Sequence, residues 1–160
     1  MCSSDLRVAD LERRIREGVR SCARHAALLA YAIGNEIPSP IVRWYGHRKV
    51  ERFLERLYWA AKEEDPDGLV TYVNYPSTEY LELPFLDFVS FNVYLESQEK
   101  LQGYVARLQN LAGERPLVIA EAGLDSLRNG EAAQASTLDA QLTHEIPPRQ
   151  TLTRARLPTD

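Results

Sequence analysis

The sequence predicts an α/β fold, a partial (β/α) barrel of the TIM type with about four parallel strands. Three observations lead to it. Short apolar runs of strand length alternate with amphipathic stretches of helical period over residues 6–141, the order that gives parallel strands joined by crossovers. Two of these runs, 26–33 and 116–120, carry a glutamate at their C-terminal end, Glu36 in Gly34-Asn35-Glu36-Ile37 and Glu121 directly after Ala120. Strand tips are where such barrels place their chemistry, because residues from different strands converge on that face. Between the two glutamates lie β-branched and aromatic runs with no long interruption.

The elements follow in order. Residues 6–25 are predicted helical: Val8, Leu11, Ile15, Val19 and Cys22 recur at three- or four-residue steps between charged side chains. Ser3, Ser4 or Asp5 are the candidates to cap it. Residues 26–33 are apolar throughout, which suits a strand buried on both faces. A continuing helix is the competing reading, since Ala and Leu favour helix; Gly34, Pro38 and Pro40 cut the run short and favour the strand.

The next helix is the clearest element. Val50, Phe53, Leu54, Leu57, Tyr58 and Ala61 form one apolar stripe, and Asp65-Pro66-Asp67-Gly68 ends it with turn chemistry. Strands are predicted at 69–74 and 86–94, with a loop at 75–78. A helix at 97–111, closed by Gly113, precedes the fourth strand at 116–120, and a last helix spans 130–141. Residues 143–160 hold Pro147, Pro148 and Pro158 and show no strand pattern. They are expected to be a disordered or non-native tail, leaving 1–142 as the barrel domain.

A chain of 160 residues supports one domain with a real core. A complete eight-stranded barrel needs about 250 residues, with roughly 200 as the floor, so a piece of a barrel is expected. The net charge of −4, from 23 acidic and 19 basic residues, argues against a nucleic-acid partner. Two cysteines make no disulfide framework. No apolar stretch approaches the roughly 18–20 residues of a membrane span, and the N-terminus lacks the basic-then-apolar order of a secretory signal. The expectation is a cytoplasmic, soluble protein with no membrane partner. His25, His47 and His144 are too far apart in sequence for a metal-ligand set. No GxGxxG, no GxxxxGK[ST] and no nucleophile elbow occurs, so no cofactor or metal is expected.

Two carboxylates at strand tips fit glycoside hydrolysis with retention, which uses an acid/base and a nucleophile about 5–5.5 Å apart. The residues also carry a resemblance. Ala32-Ile33-Gly34-Asn35-Glu36 and Val118-Ile119-Ala120-Glu121-Ala122-Gly123 resemble the fourth-strand and seventh-strand signatures of clan A glycoside hydrolases. Family 2 is the nearest look, the group of β-galactosidases, β-glucuronidases and β-mannosidases. Phe88-Val89-Ser90-Phe91-Asn92-Val93-Tyr94 looks like that group's sixth strand. The 85 positions between the glutamates (121 − 36) leave room for strands four to seven.

The resemblance implies roles. Glu36 would be the general acid/base and Glu121 the nucleophile, with Asn35 bonding the sugar 2-hydroxyl. Tyr94 would donate a hydrogen bond to Glu121, and Asn92 would make a further polar contact with substrate. The partner implied is a carbohydrate, a β-glycoside. Asn35 reads equally as a turn residue after glycine, and Tyr94 equally as a core aromatic. Trp44, Tyr45, Tyr75 and Tyr80 follow strand tips and suit either sugar stacking or covering exposed core. His47, beside Arg48 and Lys49, reads as a solvated helix start.

Numbering Glu36 as the tip of strand four implies that strands one to three and strand eight are missing. Such a fragment is expected to be inactive by itself, with two open sheet edges that invite association. A non-catalytic carbohydrate-binding or interaction remnant is the alternative. An unrelated α/β sheet binding an anion at a helix N-terminus is a third reading, and the lack of a Gly-rich loop weighs against it.

Overall fold

The computed structural model describes the backbone of residues 3–144; residues 145–160, most of the expected tail, lie outside it. Its order is α1 (Ser3–Cys22), β1 (Tyr31–Asn35), α2 (Ser39–Tyr45), α3 (His47–Glu64), β2 (Val70–Asn74) and a 3-10 turn (Pro76–Thr78). Then come β3 (Val89–Val93), α4 (Gln98–Ala112), β4 (Leu117–Ala122), α5 (Ser126–Asn129) and α6 (Glu131–His144). One sheet forms in the order β1-β2-β3-β4, and every neighbouring pair is parallel. All four strands therefore end on the same edge, as the sequence predicts for part of a barrel.

The helix stripe of α3 builds the larger core. Val50, Leu54, Leu57, Tyr58 and Ala61 are buried and pack with Ile33 of β1 and with Val70 and Tyr72 of β2. A fully buried leucine or valine contributes about 1.5–3 kcal/mol by leaving water, so this layer fixes β1 and β2. A second, smaller cluster joins Phe91 and Val93 of β3 to Leu101 and Leu108 of α4. Residues 89, 91 and 93 thus face the helices, and strand alternation turns 90 and 92 to the opposite face. Arg16 and Arg20 of α1 pair with Glu64 of α3 at 3.3 and 2.5 Å, and Arg56 of α3 pairs with Glu12 of α1 at 2.8 Å. Each exposed pair adds only about 0–1 kcal/mol; they align α1 rather than hold it.

Several boundaries differ from the sequence expectation, each for a local reason. Residues 26–30 are not strand. Arg24 takes φ 67 after α1, His25 O accepts from Leu28 N at 2.9 Å, and Leu29 is exposed. Alanine and leucine without β-branching give that run no preference for the pleat, so β1 begins at Tyr31. Ser3, Ser4 and Asp5 lie in the first turn of α1, which begins at Ser3.

The strand expected from residue 86 begins at Val89. Asp87 turns its carboxylate onto the start of β2 instead, accepting from Val70 N at 2.7 Å and pairing with Lys62 at 2.9 Å. α2 was not expected, because Pro38 and Pro40 read as breakers. Pro40 sits in its first turn, where a missing N–H costs nothing. The last helix runs to His144, two residues past the predicted domain boundary. No helix joins β2 to β3; the 79–88 segment is pinned to α4 by Glu79, which accepts from Tyr104 and Arg107 at 3.0 Å each.

Candidate active site

The strand tips bring the predicted residues to one edge of the sheet. Asn35 ends β1 and Glu36 follows it. Glu36 N donates to Val73 O at 3.0 Å, which ties it to β2. Its φ of +46 is in the left-handed region, a conformation that costs a non-glycine residue roughly 1–2 kcal/mol. Two further contacts hold the turn. Ile37 N donates to Tyr72 Oη at 2.8 Å, and Ser39 N donates to Tyr75 Oη at 2.9 Å. Gly34 leaves room for the Tyr72 ring: a Cβ there would come within 3.3 Å of it, and the ring would have to shift by a few tenths of an ångström. Burial is the main reason the Tyr72 hydroxyl is pushed up to about 12, with the Glu36 charge adding to it; it stays a neutral hydroxyl, free to accept from Ile37.

β3 supplies a handle for each glutamate. Asn92 is 1% exposed, and its Nδ2 donates to Asn35 Oδ1 at 3.1 Å and to Glu36 Oε1 at 2.8 Å. Two residues on, Tyr94 donates its hydroxyl proton to Glu121 Oε2. Residues two apart on an extended chain share a face. Asn92 is also the register partner of Glu121 across the β3–β4 ladder. The Tyr94 hydroxyl is raised from its ordinary value, first by the bond to Glu121, then by burial and by the charges of Glu121 and Glu36. The five predicted residues thus form two bonded sets reached from β3, Asn92 with Asn35 and Glu36, and Tyr94 with Glu121.

Their exposure differs. Glu36 is half-buried, whereas Asn35 and Glu121 are exposed, and Tyr94 is 58% exposed. Among the aromatics, Trp44 and Tyr45 stand out from α2 with Trp44 84% exposed. Tyr75 is half-buried with its hydroxyl engaged. Tyr80 is exposed and meets the His47 ring edge-on at 6.5 Å, and His47 is the exposed first residue of α3.

Sequence reasoning missed Asn74 at the tip of β2. It is buried; its Oδ1 accepts from Thr78 Oγ1 at 2.6 Å and Tyr75 N at 2.9 Å, while its Nδ2 donates to Thr78 O at 3.0 Å. These bonds close the loop on itself and bury the Asn74 amide against Thr78. It missed Tyr72 as well, since nothing in a β-branched run marks which hydroxyl reaches a loop 35 residues away. Among the described residues, no group of three or more His, Cys, Asp or Glu is placed to hold a metal ion, and no helix is long and apolar enough to cross a membrane.

No family model matches the sequence, and no curated protein sequence matches it. Solved structures do match. A β-glucuronidase from Bacteroides uniformis is 21% identical with a TM-score of 0.71, over 84% of this chain and 19% of that one. A β-glucuronidase from Ruminococcus gnavus, in complex with D-glucuronic acid, is 17% identical with a TM-score of 0.61, over 84% and 27%. One from Bifidobacterium dentium, complexed with coumarin-3-O-glucuronide, is 19% identical with a TM-score of 0.55, over 81% and 26%.

The fold, four parallel strands in one sheet with helices packed against it, is that of part of a (β/α) barrel. At these identities the likeness concerns the fold alone. The chain spans 19–27% of the length of those proteins.

Proposed function

We propose that residues 1–142 form the part of a family 2-like glycoside hydrolase barrel that carries both catalytic carboxylates, and that its partner is a β-glycoside. One observation carries the reading: β3 reaches both acids at neighbouring positions, Asn92 bonding Glu36 and Tyr94 bonding Glu121, which supports a shared site at the end of the sheet. Glu121 attacks the anomeric carbon as the C–O bond to the leaving group breaks, and Glu36 gives its proton to that leaving oxygen. Glu36 then takes a proton from water, which attacks the glycosyl–Glu121 ester and releases the sugar with retained configuration. Tyr94 orients the Glu121 carboxylate, and the exposed Asn35 amide meets the sugar 2-hydroxyl. The reaction needs neither metal nor cofactor, because both proton transfer and covalent capture are done by carboxyl groups.

Glucuronides are the first substrates to try, since the similar structures include complexes with D-glucuronic acid and a coumarin glucuronide. The test is hydrolysis of chromogenic β-glucuronide, β-galactoside and β-mannoside. It is run on the chain alone and joined to the polypeptide encoded on either side of it. Turnover lost separately in Glu36→Gln and Glu121→Gln supports the reading. Sugar binding without turnover in either form favours a non-catalytic carbohydrate-binding remnant; neither binding nor turnover removes the carbohydrate reading.

A further inference from the structure

The amide of Asn92 has no hydrogen left to offer a ligand. A primary amide carries two N–H donors, and here they serve Asn35 Oδ1 at 3.1 Å and Glu36 Oε1 at 2.8 Å. Its Oδ1 is buried and meets no donor among the described residues. A side chain 1% exposed with both donors engaged is badly placed to touch a sugar.

What Asn92 does follows from the atoms it holds. Consecutive residues of a strand point to opposite faces, so Asn35 and Glu36 would ordinarily diverge. The left-handed turn at Glu36, φ +46, breaks that alternation and brings both side chains within reach of one amide. Because the Asn35 oxygen accepts from Asn92, the Asn35 NH2 is turned away from it, and Asn35 is exposed. Because Glu36 accepts at Oε1, its other oxygen is left for proton exchange.

We infer that Asn92 is a positioning residue: one buried amide sets the orientation of Asn35 and Glu36 together, so that an amide donor and a carboxyl oxygen face the same point. What that pair then does rests on the glycosidase reading; the positioning itself does not. Asn92 acts on substrate only through its two neighbours.

Nuclear magnetic resonance of the 160-residue chain with labelled asparagine tests this without requiring turnover. Three results are expected. The Asn92 side-chain protons exchange with water about tenfold more slowly than those of a free amide, as one ordinary hydrogen bond implies. Glu36→Gln shifts the Asn92 amide resonances, because the charged acceptor is gone. Asn92→Ser moves the Asn35 amide to the free-amide position while the α3 backbone signals stay in place.

Asn92 protons exchanging at the free rate, or unmoved in Glu36→Gln, overturn the inference. An amide packed beside Glu36 without bonding it would keep the exchange rates of both its protons in Glu36→Gln, whereas loss of a charged acceptor speeds one of them; that readout carries the test even if Asn92→Ser fails to fold. Titration with D-glucuronate separates the two ideas: a shift of Asn35 with Asn92 still protected supports positioning of a sugar contact. Loss of Asn92 protection on adding the sugar overturns it, since the amide would then be a ligand group. No shift at Asn35, with the other results as expected, leaves the positioning standing and counts against the glycosidase reading.

Discussion

Glu36 and Glu121 sit on the two outer strands of one sheet, and the chain holds them in different ways. Around Glu36 the backbone is tied to Val73 O and Tyr72 Oη, the carboxylate is tied to Asn92, and the α3 core lies beside both strands. Around Glu121 there is the Tyr94 hydroxyl. No residue of β4 is fully buried, and its last three are exposed. The short α5 after it has no buried residue, and its Leu127 is 96% exposed. The Glu36 side chain is thus held by the folded core, while the aim of Glu121, the proposed nucleophile, depends on one exposed hydrogen bond among the described residues.

The contrast is sharpest in stability. Leu54→Ala, at a position 1% exposed between α3 and the sheet, is expected to cost about 2–5 kcal/mol; Leu127→Ala should stay within about 0.5 kcal/mol. Equal losses in denaturant unfolding would break the comparison. Next comes Tyr94→Phe, which removes a bond to a charged group, valued at about 1.5–3 kcal/mol where substrate shuts out water but adding little to folding while the pair is exposed. Turnover of a chromogenic β-glycoside should drop by about 10- to 100-fold on that basis, with the unfolding midpoint unchanged because the hydroxyl lies in an exposed pair.

Tyr72→Phe should behave in the opposite sense. It leaves Ile37 N without its partner, costs about 1 kcal/mol of stability, and loosens the Glu36 turn. A Tyr72→Phe protein as stable as the parent would show that Glu36 is not braced from β2.

The smallest effect tests the loop between β2 and β3. The Arg107 guanidinium, first, and the Tyr104 hydroxyl lower the Glu79 carboxyl below its ordinary 4.5. A carboxyl depressed on folding stabilises above its unfolded value and loses that contribution as pH falls through the folded one. Arg107→Ala should therefore reduce stability at pH 7 by no more than about 1 kcal/mol, and the difference should fade as the pH drops below 4.5. A difference that is constant down to strong acid would remove Glu79 as its source.

Much of the framework was legible because it is periodic. The α3 stripe repeats at helical spacing and its neighbours β2 and β3 are β-branched or aromatic, so local preference and burial agree. Residues 26–30 carry no period at all, and their alanines and leucines fit turn, helix or strand alike. α2 was hidden because a proline reads as a breaker until one knows that it stands in a first turn. At the site, the two glutamates were visible as strand tips. The donor to Glu36 was not: Asn92 lies 56 positions away, and only the register of three strands brings the two together. The same holds for Asn74, whose polar tip is closed by Thr78 through a turn that no spacing rule predicts.

If the proposed function holds, Glu121 is the group that captures a sugar. A 2-deoxy-2-fluoro-β-glucuronide with an activated leaving group lets a covalent ester accumulate even where turnover is slow, and peptide mass spectrometry locates it. A glycosyl adduct is expected on the peptide containing Glu121, absent in Glu121→Gln and still formed in Glu36→Gln, because an activated leaving group departs without a proton. Label on any other residue, or no label on the chain either alone or with its flanking polypeptide, would contradict it.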